Sequence, residues 1–476
     1  MVLPSAFRTI AAGLFLLESA KADPGDTNSC TKLVESLPGL VYLPDTPNYT
    51  SLNTHRWSNT SILTPNCIVT PACAQEVSTI VKTLVCDGTS FSIKSGGHNP
   101  NPKFNNIDNG VTVDLKLLNE ASISADRTYV TLGAGTTMGQ AYGAFSNESI
   151  AFPGGICDGV GVGGISTGGG QSFFLPKLGW FVDNVLDYEI VLASGAIVNA
   201  NQASNSDLFK ALKGGSTNFG IVTKVKVAAF AHDGLWGGQI VVPATNATTQ
   251  QVMKDFTDFT TANNEDVDTA IMINPPILAP FLALQPQVLN TIAHKPLADF
   301  VHEVTQPMPD GYRMLTATTT FVNDLETLTQ VQAATDAIYE EIKDQVPNLD
   351  WMFSYNPQPE VMMDHAATRG VNPTLRNRQL TIHAVYWLIP RYTDASSDAI
   401  MHDAVARWYD EVSNITAKLG TADPFLYLNH AGYFQKPLCA TGAENVNYMK
   451  TVAEKYDPQQ VFQRLVPGGH KLSTEC

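Results

Sequence analysis

Apolar and polar positions alternate in short bursts through the first half of the chain. Val111, Val113 and Leu115 recur at every second residue. Phe91 with Ile93 and the run Tyr129–Leu132 read the same way, and all three predict strands. Val77, Ile80, Val81 and Leu84 recur at three- and four-residue spacing and predict a helix. That helix is expected to open at Thr70-Pro71, with Thr as N-cap and Pro at the first helical position. Ile190–Ala193 and Ala196–Val198 flank Ser194-Gly195, a hairpin signal. Ser206-Asp207 caps a short helix, Leu208–Leu212, which Lys213-Gly214-Gly215 ends. Phe219, Ile221, Thr223, Val225 and Val227 then alternate as a strand.

Past residue 233 glycine becomes sparse and the elements lengthen. Asp324–Val346 predicts a helix with Leu325, Leu328, Val331, Ile338 and Ile342 on one side, stopped by Pro347. Arg378–Leu388 predicts a strand with Leu380, Ile382, Ala384 and Tyr386 on one face and Thr381, His383, Val385 and Trp387 on the other. A last helix, Glu444–Lys455, turns Val446, Met449 and Ala453 inward. Residues 23–60, polar and rich in Pro, Asn and Thr, read as an entry segment. The order is therefore α+β: a glycine-rich part, a sheet-and-helix part, then a short return.

The chain has 476 residues, 44% of them hydrophobic, enough for two or three domains with a large core. Its 45 Asp+Glu outweigh 29 Lys+Arg, giving a net charge of -16, which repels phosphate backbones and argues against nucleic acid as a partner. No apolar run approaches the ~18–20 residues of a membrane span. Near the start, Arg8 precedes the apolar run Ile10–Leu17 and Ala20-Lys21-Ala22, the layout of a secretory signal peptide cleaved after Ala22. Asn-x-Ser/Thr sequons at Asn48, Asn59, Asn147, Asn246 and Asn414 fit a secreted, glycosylated protein. In an oxidising compartment most of Cys30, Cys67, Cys73, Cys86, Cys157, Cys439 and Cys476 should pair, and an odd count of 7 leaves at least one with another fate.

Glycines at 154, 155, 159, 161, 163, 164 and 168–170 crowd a single stretch. So many glycines are expected to sit outside packed elements, where they let the backbone approach a ligand. The stretch is one of four glycine-rich pieces. The others are Ser95-Gly96-Gly97-His98, the triad Gly168-Gly169-Gly170 that closes it, and Gly214-Gly215-Ser216-Thr217-Asn218-Phe219-Gly220-Ile221-Val222-Thr223. Successive backbone N–H groups in tight turns make concave anion sites suited to a pyrophosphate. No Gly-Lys-Ser/Thr follows Gly163-x-x-x-x-Gly168, so this is no P-loop, and no glycine triad opens a βαβ unit after a strand, so the Rossmann pattern fails.

These motifs, from about Pro65 to Val227 and again at Tyr427–Phe462 with the ending Lys455-Tyr456-Asp457-Pro458-x-x-Val461-Phe462, resemble the berberine-bridge-enzyme-like flavin oxidases of the vanillyl-alcohol oxidase superfamily. The resemblance implies a two-part PCMH-type FAD-binding domain enclosing a substrate domain with an antiparallel sheet and helices. The corresponding boundaries are 1–22 for the signal peptide, 23–232 for the N-terminal part, 233–424 for the substrate domain and 425–476 for the return. It implies FAD held by two covalent bonds, from His98 to the 8α-methyl and from Cys157 to ring carbon 6, which accounts for the odd cysteine. It also implies that Ser95, Gly96, Gly97, Gly161, Gly163, Gly164, Gly168, Gly169, Gly170, Ile221 and Val222 line the cofactor, that Val160 is the oxygen gate in its oxidase form, and that Cys30 pairs with Cys86.

Relatives place the Tyr of an Asn-Tyr pair at the catalytic base, where this chain has Asn429-His430. An unperturbed His titrates near ~6.5 and serves as a neutral base where Tyr, near ~10, needs strong activation. His383 and Tyr433 are the other candidates for catalytic or pocket-wall roles. No metal is expected, since neither His-x-x-x-His nor Cys-x-x-Cys is present. The expected function is a secreted FAD-linked oxidase that passes a hydride from a small organic substrate, a specialised metabolite, to the flavin and electrons to O2. A flavin-containing cyclase, a carbohydrate oxidase and a non-catalytic flavin-binding protein are the alternatives.

Overall fold

The computed structural model describes residues 27–262, 276–362 and 383–476. The segment expected to be a signal peptide, and the first five residues of the strand expected at Arg378–Leu388, lie outside them.

Three sheets carry the molecule. The first orders Val41–Tyr42, Cys67–Val69, Val111–Asp114 and Phe91–Lys94, with the last three strands parallel. Helix Ala74–Asp87 links Cys67–Val69 to Phe91–Lys94 and buries Val77, Ile80, Val81 and Leu84. It starts later than Thr70-Pro71 predicts. Thr70 still donates its N–H to Leu40 O, continuing the strand pairing, and the Glu76 carboxylate caps the Ala72 N–H at 2.6 Å.

The second sheet is antiparallel, in the order Ala121–Ile123, Tyr129–Gly133, Ile221–Ala228, Val185–Val191 and Ile197–Asn201. The hairpin forms as patterned, with Val191 opposite Ile197 and Gly195 at φ +78° in its turn.

The third sheet is built on His383–Tyr392, which pairs with Arg313–Met314, Ala317–Val322 and Asp350–Gln358. Helices Leu325–Ile342 and Asp398–Leu419 cover it through a core of Leu328, Val331, Ala384, Tyr386, Trp408 and Val412. Asp324 caps the first of these helices by accepting the Thr327 N–H. Leu325, grouped with the inward residues by period, lies in the first turn and is 39% exposed.

The chain's last section builds back into the first two sheets. Helix Ala443–Tyr456 buries Val446, Met449 and Ala453, and its Tyr448 and Tyr456 hydroxyls donate to Asp207. Phe462 packs edge-on against Phe91, whose N–H donates to Leu465 O.

The disulfides are Cys30–Cys67 and Cys439–Cys476, while Cys73, Cys86 and Cys157 are free thiols. The implied Cys30–Cys86 pair does not form. Cys86 lies off the apolar stripe of its helix and is exposed, whereas Cys30 and Cys67 are buried together with Cα atoms 6.0 Å apart. Four cysteines pair rather than six.

Candidate active site

A cavity of ≈ 230 Å³ opens where these sheets meet. Ser95, Gly96, Gly97, His98, Cys157, Val160, Gly161, Gly163, Gly164, Ile221, Val222 and His430 all line it. Two glycine turns meet at its floor. A Cβ on Gly96 would stand 2.4 Å from Gly159 O, and one on Gly161 would stand 2.1 Å from Gly96 N, so only glycine permits this backbone-on-backbone approach. Ser95 ties the turns together, donating to Ala134 O at 2.6 Å and accepting from Gly163 N at 3.2 Å.

Beneath the first turn, Lys94 and Asp114 form a buried ion pair at 2.9 Å. Gly97, at φ +73°, passes directly over the Lys94 stem, where a Cβ would clash at 2.9 Å. The following loop is held by buried Arg56, whose guanidinium donates to Asn105 Oδ1 at 3.0 Å and to the Asn53 carbonyl.

Glycine does not exclude regular structure here as expected. Val162–Gly168 is a short helix of 7 residues that contains Gly163 and Gly164. The triad Gly168-Gly169-Gly170 stands outside the lining of the main cavity. Its bare backbone instead admits the return segment, because a Cβ on Gly168 would stand 1.9 Å from Asn429 Oδ1. Gly170 N, Gln171 N and Asn429 Nδ2 all donate to the Tyr427 hydroxyl at 3.0 Å. Burial outweighs these three donors and pushes the Tyr427 phenol up to about 12.

Aromatic rings form one wall. Trp57 stacks on His98 with centroids 4.2 Å apart, and Trp387 stacks on His430 at 3.8 Å. Both indole N–H groups are already committed, Trp57 to Met308 O and Trp387 to Thr316 Oγ1. His98 is partly accessible, but the protein around it holds its pKa down at about 4. Cys157 is buried, and burial with the nearby Asp158 charge pushes its thiol up to about 12. His430 is also buried, its Nδ1 has no partner, and burial lowers its pKa to about 3.

His383 and Tyr433 are not brought to the cavity. His383 is buried on the third sheet with Nε2 2.9 Å from Asp423 Oδ2. Tyr433 is 49% exposed and its hydroxyl meets His402 Nδ1 at 2.9 Å. Trp57, Trp387, Tyr427, Asn429, Gln171 and His470 line the cavity without having been singled out as site residues. Trp57 comes from the stretch read as an entry segment. A lone tryptophan amid Pro, Asn and Thr was its only signal.

The cradle fits a flavin dinucleotide: glycine turns too tight for any Cβ, an unpartnered buried imidazole nitrogen, and aromatic rings along one wall. Comparison with known proteins agrees. The FAD binding domain family matches residues 65–201. A bifunctional solanapyrone synthase of Alternaria solani is 32% identical over 91% of this chain and 86% of its own length. The chain belongs to the FAD-dependent oxidoreductases that carry this FAD binding domain.

An FAD-dependent monooxygenase of Cochliobolus heterostrophus is 29% identical over 96% of each chain. Among solved structures, the glucooligosaccharide oxidase of Acremonium strictum, with a 6-S-cysteinyl, 8α-N1-histidyl FAD, superimposes with a TM-score of 0.72 at 16% identity, over 94% of this chain and 99% of its own. In this oxidoreductase the Ser95–His98 turn and the Cys157–Gly164 turn pack directly against each other at the cavity. Among the described residues, no helix is long and apolar enough to cross a membrane.

Proposed function

We propose that this oxidoreductase is an exported oxidase of a neutral, planar specialised metabolite, with FAD bound through both His98 and Cys157. The carrying observation is the cavity wall. Among the described lining residues there is no Asp, Glu, Lys or Arg, and Trp57, Phe104, Trp387 and Tyr427 bring aromatic rings to the lining. Such a wall suits a flat, uncharged ring system better than a hydrated sugar, whose hydroxyls each need a partner.

Bound FAD supplies the hydride acceptor and the route of electrons to O2. The chain's residues do the rest. Trp387 and Trp57 hold the substrate flat and exclude water. His430 Nδ1, free of protein partners, accepts a hydrogen bond from the substrate's hydroxyl and takes its proton as the hydride leaves. Burial keeps that imidazole neutral and available as an acceptor. Val160, partly exposed in the cavity near Cys157, stands as the oxygen gate.

Export is supported by the N-terminal pattern, by two disulfides and by four exposed sequon asparagines, Asn48, Asn147, Asn246 and Asn414. The division at 233 and 425 is supported by the return of residues 443–476 onto the first two sheets. A second reading, a further activity beside oxidation, is favoured by the relative named a bifunctional synthase.

An aerobic screen with planar phenolic and polyketide-like compounds, read by peroxide release and product mass, tests the reading. One peroxide per product two hydrogens lighter supports the oxidase. A product one oxygen heavier makes it a monooxygenase, and an isomer without peroxide makes it a cyclase. Turnover of oligosaccharides alone rejects the substrate class.

A further inference from the structure

His470 is 3% exposed and lines the same cavity. Its Nδ1 lies 2.6 Å from Glu475 Oε1. A carboxylate only accepts, so Nδ1 carries the proton of that bond. Nε2 is buried and has no partner. Buried ring nitrogens are seldom left so, and this one belongs to a cavity-lining residue.

The ring is fastened to a particular end of the cavity. Asn218 Nδ2 donates to His470 O at 3.0 Å, and Leu472 N donates to Asn218 Oδ1 at 3.2 Å. Lys471 Nζ reaches Thr217 Oγ1 at 3.1 Å. Thr217 and Asn218 lead directly into the strand beginning at Ile221, and Ile221 shares an apolar cluster with Leu115, Phe462 and Val466. Trp57 and Cys157 belong to a different cluster. On the reading that puts the flavin ring at His98 and Cys157, the adenylate half of FAD falls to the part of the cavity lined by Thr217, Ile221 and His470.

Glu475 is itself held in place. The Cys439–Cys476 disulfide ties down the last residue, and Leu438 N donates to Glu475 Oε2 at 3.1 Å.

We propose that His470, oriented by Glu475, binds the adenylate half of FAD through Nε2, and that residues 470–476, tied by the Cys439–Cys476 disulfide, are a clamp on that half of the cofactor. The proposal rests on the reading that the cavity holds FAD with its ring at His98 and Cys157. With Nδ1–H committed to Glu475, the neutral ring offers a lone pair to a ribose hydroxyl or the adenine amino group. A protonated ring would address the adenylate phosphate. Either contact lies in the half that FMN lacks.

The test uses protein carrying His98→Ala and Cys157→Ala, in which flavin is exchangeable, titrated with FAD and with FMN by flavin fluorescence. His470→Phe keeps the ring packing against Phe104 and removes the nitrogens. It should weaken FAD about tenfold, the loss of one good hydrogen bond, and leave FMN unchanged. Glu475→Gln should weaken FAD in the same direction by less. An unchanged FAD affinity in both variants overturns the proposal, as does an equal loss for FMN. If His470→Phe does not melt cooperatively, Glu475→Gln decides alone. Parent protein that takes up neither flavin rejects the underlying FAD reading instead.

Discussion

At the scale of single residues, the environment reverses what residue type alone predicts. The chain offers His430 as a base titrating near ~6.5, but it is sealed against Trp387 and its pKa falls to about 3. The sign follows directly. The ring is neutral above about pH 3, so the rate of anaerobic flavin reduction should show no loss attributable to His430 between pH 8 and pH 5. A fall centred near pH 6.5 that disappears in a His430 variant would contradict the burial. His430→Ala should slow flavin reduction by roughly 10²–10⁴-fold if the ring takes the proton. His383→Ala, which breaks the pair with Asp423 away from the cavity, should act on stability instead. Cys157 is the second case. Its thiol is pushed up to about 12, so it is inert towards ordinary alkylation unless the fold opens. Acid-precipitated protein should stay yellow, and peptides carrying His98 and Cys157 should each bear the flavin mass. Free FAD in the supernatant would reject the two-link proposal. Cys157→Ala should keep one link and shift the flavin spectrum, and Val160→Leu should slow reoxidation in air while sparing reduction.

At the scale of elements, the buried Lys94–Asp114 pair is where fold and site join. It closes the parallel strands Phe91–Lys94 and Val111–Asp114 at their shared end, directly under the Ser95–His98 turn. Breaking one member of a buried pair strands the other charge. Asp114→Ala should therefore cost about 3–5 kcal/mol in urea unfolding and lower flavin loading, whereas an exposed pair such as Lys254–Asp258 should cost less than about 1 kcal/mol when broken. This contrast also marks what the sequence made legible. Strands and helices with a clean period, such as Tyr129–Gly133 and Ala443–Tyr456, were readable because one face is buried and the other is wet. The start of helix Ala74–Asp87 was not, because Thr70 is taken by a distant backbone carbonyl at Leu40 that no local rule includes. The Cys30–Cys67 bond was hidden for the same reason, since it depends on how helix Thr27–Ser36 docks against the sheet.

At the scale of the whole molecule, the site is a junction. Residues 57, 95–100, 104–105, 156–157, 160–161, 163–165, 216–217, 220–222, 387, 427–430 and 469–470 converge on one cavity. Its glycine turns were legible because no other residue tolerates those approaches. Its tryptophans were not, because a lone Trp reads equally well as core. A cavity assembled from so many separated segments couples cofactor binding to global folding, since unfolding any one of them dismantles the walls. A ligand that binds only the folded state stabilises it by RT ln(1 + [L]/Kd), about 2.7 kcal/mol at a hundredfold excess over Kd. Covalent attachment removes the concentration term, because the cofactor cannot leave. The native protein should therefore melt at a Tm independent of added FAD and of dilution. Protein carrying His98→Ala and Cys157→Ala should melt lower, recover as FAD is added, and fall again when diluted. Differential scanning calorimetry on both proteins, each with and without excess FAD, gives the answer. A native Tm that climbs with added FAD would mean the flavin is exchangeable, and attachment through His98 and Cys157 would have to be given up.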